Sequence, residues 1–99
     1  MLESIYEACL IHELAKAGRA VRSQVVLPVR YDGFELDAGV RLDLIVDERV
    51  VVEVKSVERL LPLHTAQLLT YLKLSGVRLG FIANFNSPLM KDGLRRLAL

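Results

Sequence analysis

The stretch Arg41-Leu42-Asp43-Leu44-Ile45-Val46-Asp47-Glu48-Arg49-Val50-Val51-Val52-Glu53-Val54-Lys55 decides how this chain folds. Two runs rich in Val, Ile and Leu flank a polar triplet, Asp47, Glu48 and Arg49. Near-continuous aliphatic runs of this kind predict central strands covered on both faces, here residues 40–46 and 50–55. Three ionisable side chains, Asp43, Glu53 and Lys55, interrupt segments that otherwise read as buried strand. Burying a carboxylate or an ammonium without a partner is costly, so such groups are usually paired, metal-bound or catalytic.

The loop between the two strands sets which side chains meet. If Asp47, Glu48 and Arg49 form a three-residue loop, Val46 opposes Val50 and Asp43 lies directly opposite Glu53. Lys55 then faces the same side, diagonal to Asp43 and opposite Arg41. Directly opposed side chains have β-carbons roughly 4.5–5.5 Å apart, close enough for two carboxylates to share one cation. A two-residue loop would send Asp43 and Glu53 to opposite faces. Two-residue hairpins favour Asn-Gly or Asp-Gly, which this loop lacks, so the three-residue register is expected.

Two carboxylates that close repel, and one is pushed toward its neutral form unless a cation sits between them. Magnesium takes hard oxygen ligands, commonly one or two carboxylates together with substrate phosphate and water. Such an ion stabilises charge on a phosphate and promotes ionisation of a bound water. Lys55, one strand position beyond Glu53 on the same face, is placed to orient that water or to stabilise developing charge. The same three groups also fit a plain ion pair at the sheet rim.

Outward from this hairpin, residues 2–17 read as a helix of good helix formers, closed by Gly18. On a helical wheel Leu2, Tyr6, Cys9, Leu10, Leu14 and Ala17 make one apolar face, with Glu3 on its flank and Glu7 slightly further round. Residues 24–31 alternate into a strand, with Pro28 indicating an edge or irregular position. Asp32-Gly33 is a turn signal, residues 34–37 are a short returning strand, and Ala38-Gly39 breaks the pattern. Pro62 suits the first turn of a second helix and Gly76 its end. Residues 77–85 read as a buried strand, and strand, helix, strand implies a parallel crossover. Asn86-Ser87-Pro88 is a turn. The tail suggests a turn at Asp92-Gly93 and a last strand over 94–99, with a helix as the alternative. The expected class is α/β: a mixed β-sheet flanked by helices, in the order helix, four strands, helix, one or two strands.

On the second helix Gln67 and Tyr71 are four residues apart and share a face, with His64 on the same side. A Gln amide and a Tyr hydroxyl there suit phosphate binding or the ordering of a metal-bound water. Taken alone, the pair is more often a core tyrosine with a satisfied hydroxyl beside an exposed glutamine. His64 reads as a rim residue, and Cys9 as core filler. Lys91, Arg95 and Arg96 form a small basic cluster of the kind usually found on a solvated surface.

Composition bounds the rest. The 99 residues, 53% hydrophobic, suit one domain with one core. A formal net charge of +1 neither requires nor excludes a nucleic-acid partner. A single cysteine rules out an internal disulfide, and the absence of Trp leaves few aromatics for stacking on bases. No apolar run reaches membrane-spanning length, and Glu3 and Glu7 replace the basic start of a signal peptide, so no membrane and a cytoplasmic location are expected.

The pattern resembles the GxxExxY family within the PD-(D/E)xK nuclease-like superfamily. Leu2-Glu3-Ser4-Ile5-Tyr6-Glu7 is similar to the signature without its glycine. Arg41 to Val46 is similar to the family's Asp-bearing strand, and Val52-Glu53-Val54-Lys55 to its Glu-x-Lys strand. Ala66-Gln67-Leu68-Leu69-Thr70-Tyr71-Leu72-Lys73 resembles its Gln-x-x-x-Tyr helix, and Gly80-Phe81-Ile82-Ala83-Asn84-Phe85-Asn86 continues the match.

The resemblance implies a restriction-endonuclease-like core. It implies Asp43 and Glu53 as ligands of Mg²⁺ or Mn²⁺, Lys55 as the catalytic lysine, Glu3 as an additional metal carboxylate, and Gln67 and Tyr71 as supporting residues. The signature glycine would fall just before Met1, so the expectation is one domain over residues 1–99 that lacks the family's usual N-terminal helix. The implied function is a Mg²⁺-dependent nuclease-like phosphodiesterase acting on a nucleic-acid backbone. The alternatives are an inactive nuclease-fold module that binds nucleic acid or a protein partner, and a structural homodimer.

Overall fold

The aliphatic runs of the central hairpin become the middle of a five-stranded mixed sheet. The computed structural model describes residues 2–87 and 89–99. In chain order the elements are α1 (Leu2–Lys16), β1 (Val21–Tyr31), β2 (Phe34–Val46), β3 (Val50–Lys55), α2 (Pro62–Ser75), β4 (Leu79–Asn84), α3 (Met90–Gly93) and β5 (Leu94–Ala98). The spatial order of strands follows the chain, β1-β2-β3-β4-β5. Among the described residues only β3 and β4 pair in parallel, and α2 makes the crossover that parallel neighbours require. Among the described residues no helix is long and apolar enough to cross a membrane.

The sheet is covered on both faces, as its aliphatic central strands demand. On one face Leu42, Ile45, Val51 and Ile82 pack with Leu68 and Leu72 of α2. On the other, Leu44, Val46, Val52, Val54 and Ala83 pack against Tyr6, Leu10, Ile11 and Leu14 of α1. Leu42, Leu44, Leu68 and Leu72 are fully buried, and each such side chain stabilises the fold by about 1.5–3 kcal/mol relative to exposure. Tyr6 also stacks on Phe85, with ring centroids 4.8 Å apart, which fixes the first turns of α1 over the end of β4. The apolar face of α1 is turned toward Ile11, so Leu2 and Cys9 are exposed, and Cys9 is not the core filler expected of it.

Three strands, not four, precede α2. The segments 34–37 and 40–46 are one strand, β2, because the irregularity at Ala38-Gly39 is absorbed in the ladder instead of ending it. Between Leu27↔Val40 and Val29↔Leu36, β1 advances two residues while β2 advances four. A β-carbon at Gly39 would overlap the Leu27 carbonyl, so only glycine lets the strands pass at this bulge. Pro28 sits in the same irregular rung of an edge strand, where its missing N–H costs least. In the tail, the short α3 leads into β5 as the final strand, while the turn expected at Asn86-Ser87-Pro88 lies partly outside the described residues.

Candidate functional site

The hairpin register follows from the loop. Val46 pairs with Val50, Ile45 with Val51 and Leu44 with Val52, so Asp47, Glu48 and Arg49 form the three-residue connection. Asp47 and Glu48 both take left-handed backbone (φ 53° and 55°), a conformation that disfavours side chains by roughly 1–2 kcal/mol each. Contacts to β1 and to the residue before it hold the turn. The Ala20 N–H donates to Asp47 Oδ1 at 2.9 Å, and Arg22 grips both oxygens of Glu48 at 2.7 and 2.8 Å. These bonds hold both carboxyls below their ordinary pKa values, chiefly through the Ala20 N–H at Asp47 and Arg22 at Glu48.

Continued by one rung, this register sets Asp43 against Glu53, but the ladder itself ends at Leu44↔Val52. From there the Asp43 carboxylate takes over, its Oδ2 accepting the Val54 N–H at 2.8 Å. The pleat also changes phase here. Leu42 and Ile45, three residues apart, belong to the same core cluster, which strict alternation forbids. Across the β1–β2 ladder Gln24, with φ 51°, occupies the rung between Ser23↔Leu44 and Val25↔Leu42. Irregular rungs of this type re-aim side chains beside functional sites.

Glu53 is 5% exposed, and its Oε1 has no hydrogen-bond partner among the described residues. Burial, then hydrogen bonding and charge from Asp43, push its carboxyl up to about 9. The Lys55 charge and the Asp43 backbone N–H oppose that shift. At neutral pH, therefore, the Asp43–Glu53 pair retains a proton. Lys55 is half-buried, two residues along β3, and among the described residues it forms no ion pair. The sheet-rim ion pair that the sequence also allowed is not formed.

Tyr71 of α2 approaches the same carboxylates. Burial first, then the charges of Glu53 and Asp43, raise its pKa, while a hydrogen bond with the Gln67 side chain opposes the rise. Tyr71 is half-buried against the α2-side core and Gln67 is exposed, so the tyrosine serves the core and faces the carboxylates together. His64 does something else: its Nδ1 accepts the Leu61 N–H at 3.0 Å and caps α2. Glu3 reaches the end of β3, where its Oε2 accepts the Ser56 N–H at 3.1 Å. It does not join Asp43 and Glu53 in a three-carboxylate group, because no three His, Cys, Asp or Glu side chains among the described residues are grouped to hold a metal.

Two contributors went unassigned at the level of sequence. Asn84 is buried, and its Oδ1 accepts the Val57 and Asn86 N–H groups while its Nδ2 donates to the Val57 carbonyl. Together Glu3 and Asn84 fasten residues 56 and 57, the loop that leaves Lys55. A polar residue closing the apolar run Gly80 to Ala83 was the available signal. Gln24 is the other: its Nε2 donates to both oxygens of Glu7 at 2.9 and 3.1 Å, tying α1 to the irregular rung. Nothing in residues 21–31 announces that conformation.

The donor set fits a divalent cation. Adjacent carboxyls, one of them buried with an orphaned oxygen, are the hard oxygen donors that such a cation takes. No curated protein and no solved structure matches the chain. A family model does, the PD-(D/E)XK nuclease superfamily over residues 1–97, and the chain belongs to that superfamily.

Proposed function

We propose that this protein is a Mg²⁺- or Mn²⁺-dependent nuclease-like phosphodiesterase that acts on a nucleic-acid backbone, within the GxxExxY branch of its superfamily. One observation carries the reading: the buried Glu53 carboxyl, with an unsatisfied Oε1, lies beside Asp43 on the face that also carries Lys55. Membership of a nuclease superfamily supports it.

Asp43 and Glu53 would hold the cation, and Glu53 would release its proton in doing so. The cation, when bound, supplies charge at the phosphate and a more acidic water. Asp43 is held for this by the Val54 N–H, which fixes its Oδ2 and the orientation of the carboxylate. The Lys55 ammonium, free of ion pairs among the described residues, donates to the attacking water or to a non-bridging phosphate oxygen. Tyr71, steadied by Gln67, directs its hydroxyl to the same phosphate. Glu3 would join the cation only by giving up Ser56, so its first role is to hold the loop beyond Lys55.

The test is cleavage of labelled single- and double-stranded DNA and RNA in Mg²⁺, Mn²⁺ and EDTA. Metal-dependent cutting, reduced by about 10²-fold or more in Asp43→Asn, Glu53→Gln and Lys55→Ala, is expected. Absence of both metal binding and cutting would leave a nuclease-fold module that binds nucleic acid or a protein partner without hydrolysing anything.

A further inference from the structure

A polar cavity of about 250 Å³ opens at the carboxyl ends of β3 and β4. Ligands of open α/β sheets characteristically bind at the carboxyl ends of parallel strands. Glu58 and Arg59 enter it from the loop after β3, Asn84 and Ser87 from the end of β4, and Asp92 and Arg95 from the corner leading into β5. Its walls are firmly built. Asn84 uses its side chain on Val57 and Asn86, and a β-carbon at buried Gly93 would overlap the Asn84 carbonyl, which presses the α3–β5 corner onto β4.

The cavity neighbours the candidate site along the ladder. Lys55 pairs with Asn84, so the cavity begins one strand from the lysine. Glu53 pairs with Ile82, and Ile82 with Arg95, which puts Arg95 on the rung of Glu53 two strands away. Two strand spacings amount to roughly 9.5 Å.

Charge identifies the occupant. Arg59 and Arg95 form no ion pair among the described residues, although Glu58 and Asp92 line the same cavity. An unpaired guanidinium presents a fork matched to phosphate oxygens. The carboxylates would repel a bare anion but accept hydrogen bonds from sugar hydroxyls or from the N–H groups of a base. A nucleotide carries both kinds of group.

We propose that this cavity is a nucleotide subsite, in which Arg59 and Arg95 hold a phosphate flanking the one addressed by Asp43, Glu53 and Lys55. Glu58 and Asp92 contact the sugar or base of that nucleotide. The inference rests on the nuclease reading for the identity of the strand, but it concerns grip and not hydrolysis.

The experiment is fluorescence anisotropy of a labelled single-stranded oligonucleotide with the full chain in EDTA, over a range of salt concentrations. Arg59→Ala/Arg95→Ala is compared with wild type and with Lys16→Ala, a charge removed at the far end of α1. Thermal melting checks the fold, and the Gln variants replace Ala if melting falls. The double variant is expected to bind at least tenfold more weakly, with a salt slope shallower by about 0.7, the contribution of the one phosphate released. Wild type that binds no oligonucleotide, or a double variant no weaker than Lys16→Ala, overturns the subsite. Lost binding in a protein that never cleaves would uphold the subsite and sink the nuclease reading. Metal-dependent cleavage with unchanged binding would do the reverse.

Discussion

The Asp43 carboxylate accepts the Val54 backbone N–H at 2.8 Å and so replaces, with a side chain, the strand pairing that runs from Val46↔Val50 to Leu44↔Val52. One residue thus finishes a ladder and presents a carboxyl to Glu53. Structure and chemistry at position 43 can be separated by substitution. Asp43→Asn keeps an acceptor for Val54, and its melting temperature should stay near wild type. Asp43→Ala leaves that N–H unsatisfied and should lose about 1–3 kcal/mol in denaturant titration. Both should lose metal-dependent cleavage. Equal stability of the two variants would show that the Val54 bond contributes nothing.

Glu53 gives the metal-free protein a characteristic pH dependence. Its carboxyl titrates at about 9 in the folded state against an ordinary 4.5. Between those values the folded chain holds one proton more than the unfolded chain. The stability from this group is fully present below pH 4.5 and is lost as pH rises through 9. The melting temperature in EDTA should therefore fall across that window, and Glu53→Gln should flatten the fall. A wild-type profile parallel to that of Glu53→Gln would count against a protonated Glu53.

Magnesium should reverse the trend. A cation that binds the ionised pair competes with the proton, so binding releases protons and tightens as pH rises. Melting shifts on adding MgCl₂ should be larger in alkaline than in mildly acidic buffer, since only the folded state holds the site. Calorimetry in two buffers of different ionisation enthalpy would measure the released proton directly. Asp43→Asn and Glu53→Gln should show neither effect.

Tyr71 tests whether α2 takes part in the chemistry. Tyr71→Phe removes a hydroxyl bonded to the exposed Gln67 and should cost about 1 kcal/mol or less in stability. A hydroxyl that contacts phosphate in the transition state should cost about tenfold or more in kcat/KM when removed. Unchanged kcat/KM would assign Tyr71 to the core alone.

Asn84 should behave as a support. Asn84→Ala strands the Val57 N–H and carbonyl at a part-buried position and should destabilise the fold by about 2–4 kcal/mol. Chemical denaturation measures this directly. A loss under about 0.5 kcal/mol, the range of neutral surface changes, would mean that water takes over the staple.

By itself, the sequence determined the features that local chemistry controls. A polar triplet without a tight-turn glycine specified a three-residue loop, and that loop set Val46 against Val50. Aliphatic runs specified strands covered on both faces, while Pro62 and Gly76 bounded α2. Tertiary structure decided what depends on residues distant along the chain. It joined 34–37 to 40–46, because the Gly39 bulge is visible only once Leu27 lies alongside. It sent Glu3 to Ser56 and Asn84 to Val57, since an orphaned N–H recruits whichever acceptor packing brings near. It turned Cys9 outward, because the sheet and not the helical wheel selects the buried stripe. Periodicity is a local property, whereas the burial that pushes the Glu53 carboxyl up and leaves its Oε1 without a partner is collective, created by elements that meet only in the folded chain.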